Sequence, residues 1–142
     1  MKEIYKTDTH IISVIGDQSK IETTKKEKLL KSLGKLRGKY ESGGVDFNGV
    51  IIKTDEGSIA KITSTVMGLQ SGLMTSIDWK GHNGWIKNVQ FDTMLQIASV
   101  VGNHVQKCFR VENLIVDEIE KLTVSELDSY DMFARWEYYF NQ

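Results

Sequence analysis

His104 and Cys108 stand four residues apart, the pair in this chain whose types and spacing could serve chemistry together. On a helix that spacing puts both side chains on one face, where they could supply two zinc ligands or a nucleophile and its base. A structural zinc site normally takes four ligands, however, and no second Cys or His pair is visible. Cys108 is the single cysteine, and the sequence does not supply the activating environment that a catalytic thiolate needs. The favoured reading is a partly buried histidine beside a small buried thiol. His10 and His82 stand alone, one in an expected strand and one in a turn. Gly34-Lys35 and Gly38-Lys39 lack the spacing of a phosphate loop, and no Gly-x-Ser-x-Gly elbow is present. Asp78 and Asp92 flank a hairpin without a spacing that marks an acid/base pair. No catalytic residue, metal or cofactor is expected, and the chain reads as a protein without enzyme activity.

The elements that carry these residues alternate in type. His10–Ile15 is rich in β-branched residues and is followed by Gly16-Asp17, which predicts an N-terminal strand or hairpin arm over residues 1–23. Leu29, Leu33, Leu36 and Tyr40 recur at helical spacing and predict a basic helix over 24–42. Gly34 and Gly38 weaken it and could admit a close partner helix; Gly43-Gly44 ends it. Val45–Phe47 and Val50–Lys53 flank Asn48-Gly49, the pair suited to a type I′ turn, so a hairpin is expected. Asp55 or Ser58 can cap the next helix, which carries Ile59, Ile62, Val66 and Leu69 and closes at Gly72. Residues 75–90 predict a second hairpin around Gly81–Gly84. A long helix follows from Phe91 or Asp92 to about Leu122, with Leu95, Ala98, Val101, Val105, Phe109 and Ile115 as its apolar positions. The expected class is α+β: a small antiparallel sheet from two hairpins packed with three helices, plus the arm and a C-terminal tail.

Composition bounds the rest. The chain has 142 residues, 40% of them apolar and 26% charged, which suits one ordinary folded domain of residues 24–122 with its appendages. Net charge is −1, but residues 20–40 hold eight Lys/Arg while residues 112–137 hold eight acids. The basic helix could touch phosphates, although a solvated face or pairing with the acidic region of a neighbouring chain explains it better. No apolar run approaches the roughly 20 residues of a membrane span, and MKEIYKTDTH lacks the order of a signal peptide, so synthesis in a cytoplasm is expected. Residues 123–142 carry six aromatics between Tyr130 and Phe140. Such rings are enriched at interfaces, and they serve equally well to complete a core. The candidate protein-interaction residues are Leu29, Leu33, Leu36, Tyr40, Tyr130, Phe133, Trp136, Tyr139 and Phe140.

The run Gly43-Gly44-Val45-x-Phe47-Asn48-Gly49, then Ile52-x-Thr54-Asp55-x-x-Ser58-x-x-x-Ile62, resembles a domain of unknown function common in bacteriophage tail fibre and tail-fibre-assembly proteins. The likeness continues through Trp79, the Gly81–Trp85 turn and His104-Val105-x-x-x-Phe109, and covers approximately residues 25–122. It implies a virion structural protein of the tail, fibre or fibre-attachment region that works by assembly. Its partners would be further copies of the chain, a trimer among the options, and other tail or fibre proteins. Nucleic acid and membrane are not expected partners. It implies synthesis in the bacterial host cytoplasm and a final place in the virion tail. The alternatives are an assembly chaperone that does not stay in the particle and a small nucleic-acid-binding protein.

Overall fold

The computed structural model describes the backbone of residues 2–142 and the side chains of residues 18–142. The element order is α1 (Lys2–Glu41), β1 (Val45–Phe47), β2 (Val50–Ile52), α2 (Glu56–Gln70), β3 (Ile77–Lys80), β4 (Trp85–Val89), α3 (Phe91–Glu120), α4 (Val124–Asp128) and α5 (Met132–Phe140). The class is α+β. Two compact units divide the chain, one of residues 1–34 and 112–142, the other of residues 35–111.

In the second unit, the turn chemistry determines the backbone. Asn48 and Gly49 both adopt positive φ, 51° and 90°, as a type I′ turn requires. Val45 then pairs with Ile52 and Phe47 with Val50. Gly44 has φ 91°, and a Cβ there would stand 2.8 Å from Ile51 Cγ2, so both conformation and space require glycine. The buried Thr54 hydroxyl donates to the Glu41 carbonyl at the end of α1 and accepts from the Gly44 N–H at 2.9 Å. Asp55 is the N-cap of α2: its carboxylate accepts from the Ser58 N–H at 3.2 Å and from the Ser58 hydroxyl at 2.6 Å. These bonds hold the Asp55 carboxyl below its ordinary range.

The second hairpin carries a bulge. Ile77 pairs with Val89 and Trp79 with Ile86, so β4 has one extra residue between those pairs. Asn88 takes φ 55° there, and its N–H donates to Asp78 Oδ1 at 3.0 Å. The two hairpins form two separate two-stranded sheets, not the single sheet expected from the sequence. The Gly81–Gly84 turn bonds to the edge of β2 instead of adding a ladder. The His82 N–H donates to the Ile51 carbonyl at 2.8 Å, Asn83 Oδ1 accepts from the Ile51 N–H at 2.7 Å, and Asn83 Nδ2 donates to the Gly49 carbonyl at 3.1 Å. One asparagine side chain thereby occupies the edge that a third strand would have used. The core beneath holds Ile52, Ile62, Leu69, Val89, Met94, Ile97 and Val101.

Three further expectations change. Residues 2–23 belong to α1, not to a strand arm. The helix penalty of a β-branched residue is a few tenths of a kcal/mol, and a helix already nucleated downstream propagates through such residues one at a time. The buried positions of α3 are Met94, Ile97, Val101, Cys108, Val111, Ile115 and Ile119, while Leu95 and Phe109 are exposed. That series keeps the 3.6-residue period but is turned from the expected stripe, because several apolar residues sit on both sides of it. The C-terminal segment is two short capped helices. Thr123 and Glu126 form a capping box for α4, and Asp131 caps α5 by accepting from the Ala134 N–H at 3.0 Å.

Candidate interaction surface

The nine residues singled out from the sequence fall into different environments. In the first unit, Leu33 is 1% exposed and Trp136 fully enclosed, so both belong to the interior, as do Ile115, Ile119 and Leu127. Leu29, Tyr130, Tyr139 and Phe140 are half-buried, and Phe133 remains 58% exposed. Leu36 and Tyr40, in the second unit, are also half-buried. The Leu29–Tyr40 stripe is therefore partly consumed by the chain's own core. Gly34 and Gly38 have no described atom near the place of a Cβ, so neither marks a close helix approach among the described residues.

The basic and acidic segments meet within the chain. Lys25 Nζ lies 2.7 Å from Asp128 Oδ1, and Lys26 Nζ donates to the Glu120 carbonyl at 3.1 Å while pairing with Glu22 at 3.0 Å. These contacts join α1 to the end of α3 and to α4 in the first unit. The complementarity seen in sequence is satisfied at these points without a neighbouring chain.

Glu118 organises the aromatic segment. Its carboxylate accepts from Tyr130 OH at 2.7 Å and from Arg135 Nε at 3.0 Å, and also from Arg135 Nη2 and Tyr139 OH. Arg135 thus grips the carboxylate with two nitrogens, the fork geometry in which guanidinium bonds are strongest. The guanidinium also lies 4.7 Å from the Tyr138 ring centroid and 5.1 Å from that of Tyr139. Arg135 first, then the two tyrosine hydroxyls, lower the Glu118 carboxyl to about 2. Tyr130 is raised by burial and by the Glu118 carboxylate, and Tyr139 by its bond to Glu118. Trp136 and Phe140 stack with centroids 6.2 Å apart. Phe133 and Tyr138, the latter 54% exposed, remain as the outward aromatics of α5. Tyr138 was not among the nine. Its place in the unbroken Tyr138-Tyr139-Phe140 run hid which ring turns outward.

His104 and Cys108 do not form a nucleophile and base. His104 Nε2 lies 2.9 Å from the Tyr40 carbonyl, which can only accept, so Nε2 carries the proton. Cys108 Sγ is 4.0 Å from that same nitrogen, which therefore has no lone pair to take the thiol proton. Burial raises the Cys108 thiol, the opposite of activation. Among the described residues no group of three or more His, Cys, Asp or Glu side chains is arranged to hold a metal ion, and no helix is long and apolar enough to cross a membrane.

No curated protein and no solved structure matches the chain. The family described as Domain of unknown function (DUF4376) matches over residues 24–132, from the basic half of α1 to the start of α5, and the chain belongs to that family.

Proposed function

We propose that this protein is a structural component of a bacteriophage tail, in the fibre or fibre-attachment region, and that it works by assembling with other proteins. The observation that carries this reading is the exposed pair Phe133 and Tyr138 on a short helix whose remaining aromatics are fixed in place. A rigid helix that keeps two large rings in solvent presents binding area at little cost in conformational entropy. The resemblance of the 43–62 run to domains of phage tail proteins supplies the setting. Further copies of the chain and neighbouring tail proteins are the proposed partners. An assembly chaperone is the second reading, because the same surface would hold a fibre protein transiently. Nucleic acid fits less well, since Lys25 and Lys26 already engage acceptors of their own chain.

Mass spectrometry of purified particles tests the proposal. The protein is expected in the particle, and a Phe133→Asp/Tyr138→Asp variant that keeps its helical circular dichroism is expected to drop out of it. Absence of the unmodified protein from finished particles overturns the structural reading. Absence together with co-purification with a fibre protein selects the chaperone.

A further inference from the structure

The second unit contains a cleft of about 460 Å³ whose walls include Lys53, Lys61, Lys80, His82, Asp78 and Trp79. Lys53 follows β2, Lys61 lies on α2, Asp78 to Lys80 belong to β3, and His82 stands in the turn that docks on β2. Residues up to 29 positions apart in sequence therefore bring three lysines to one concavity. Among the described residues none of these lysines forms a close salt bridge, although Lys53 lies near enough to Asp55 for its charge to help lower that carboxyl. Lys80 Nζ is 5.7 Å from the Trp85 ring centroid, a contact that orients the ammonium without neutralising it. Asp78 is the one acid among the lining residues, and its Oδ1 is engaged by the Asn88 N–H. Three lysines less one aspartate leave a formal charge of +2 on the lining residues, part of it offset by Asp55 near Lys53, on a chain whose net charge is −1.

Like charges gathered in a concave, partly apolar site focus a positive potential and attract an anion of matching charge. The cation type narrows the anion. The lining cations are lysines, whose ammonium groups act as point charges and suit the tetrahedral oxygens of a phosphoryl group. We propose that this cleft binds a phosphoryl group through Lys53, Lys61 and Lys80. Its volume falls in the range of about 300–1,000 Å³ typical of small-molecule sites, which leaves room beside the phosphoryl group for an organic portion against Trp79. No residue of α5 lines the cleft, and the proposal stands or falls independently of the assembly proposal.

Titration of the full ¹⁵N-labelled chain with inorganic phosphate, glucose 6-phosphate and glucose, followed by NMR at low salt, tests it. Saturable shifts confined to Ser58, Lys61, Lys80, Gly81, His82 and the Trp79 indole are expected with both phosphates and not with glucose. Tighter binding of glucose 6-phosphate identifies an organic ester as the natural source, and equal binding identifies free phosphate. A Lys53→Gln/Lys61→Gln/Lys80→Gln variant is expected to bind at least about tenfold more weakly, the product of three exposed charge contacts. A Lys20→Gln/Lys28→Gln/Lys31→Gln control on α1 is expected to bind as the original does. Shifts spread equally over α1 and the cleft, or no saturable shift with either phosphate, overturn the proposal.

Discussion

The two units are held by different physics. The hairpin unit, residues 35–111, depends on backbone fit: glycines where no Cβ has room, an asparagine standing in for a strand, a buried threonine joining a helix end to a hairpin. The helical unit gathers polar groups at one carboxylate, Glu118, which receives an arginine fork and two phenols. Fit is indifferent to pH and salt, whereas a charge cluster responds to both. The difference shows that one short chain can fix its turns by sterics and its terminal helices by electrostatics.

The contrast can be broken in order of expected effect. Gly81→Ala would put a Cβ 2.4 Å from Val50 Cγ1 and 2.8 Å from the Ile51 carbonyl, which is backbone and cannot swing aside. A loss of about 3 kcal/mol in urea denaturation is expected, the scale of a severe overpacking. Glu118→Ala should cost about 2 kcal/mol, since it strands Tyr130 and Tyr139 without their acceptor. The same measurement on Glu118→Gln should show a smaller loss and a flatter pH profile.

Acid sharpens the comparison. The Glu118 carboxyl lies at about 2 in the folded chain, below its ordinary 4.5, so its contribution is complete above pH 4.5 and fades as pH falls towards 2. Because the side chain is partly solvated, screening reduces that contribution to about 1–2 kcal/mol. Near-ultraviolet circular dichroism of the C-terminal aromatics should report the loss, and Glu118→Gln should remove its pH dependence. At the other extreme, Tyr130 and Tyr139 have raised values, so their contribution is complete below their ordinary pH of about 10 and is lost as they ionise above it.

Asn83→Ala should cost about 1 kcal/mol, because the Ile51 N–H it abandons can still reach water. The smallest changes carry the opposite sign. Gly34→Ala and Gly38→Ala should each stabilise by about 0.5–1 kcal/mol in thermal denaturation, since a Cβ at either place meets nothing. The two effects should agree although the residues belong to different units, because helix propensity is a local property.

Legibility in the sequence followed range. Asn48-Gly49, the Asp55 cap, the Gly72 helix end and the start of α3 at Phe91 could be read because each closes its hydrogen bonds within a few residues. The β-branched run at residues 11–15 misled because a local preference of a few tenths of a kcal/mol yields to a long helix. Among the charges, density was a poor guide. The lysine-rich stretch of α1 drew attention, yet two of its lysines engage their own chain, while three lysines scattered between positions 53 and 80 line one cleft.

The sequence by itself determined the hairpin turns, the helix caps, the family and the abundance of aromatic residues near the C-terminus, because these depend on residue type and near-neighbour spacing. Only the tertiary structure decided that Trp136 is interior while Phe133 and Tyr138 face solvent, that Glu118 collects three partners from 12 to 21 residues away, and that the three lysines line one cleft. Side-chain burial and pairing across such separations depend on how helices and hairpins pack, which no local preference encodes.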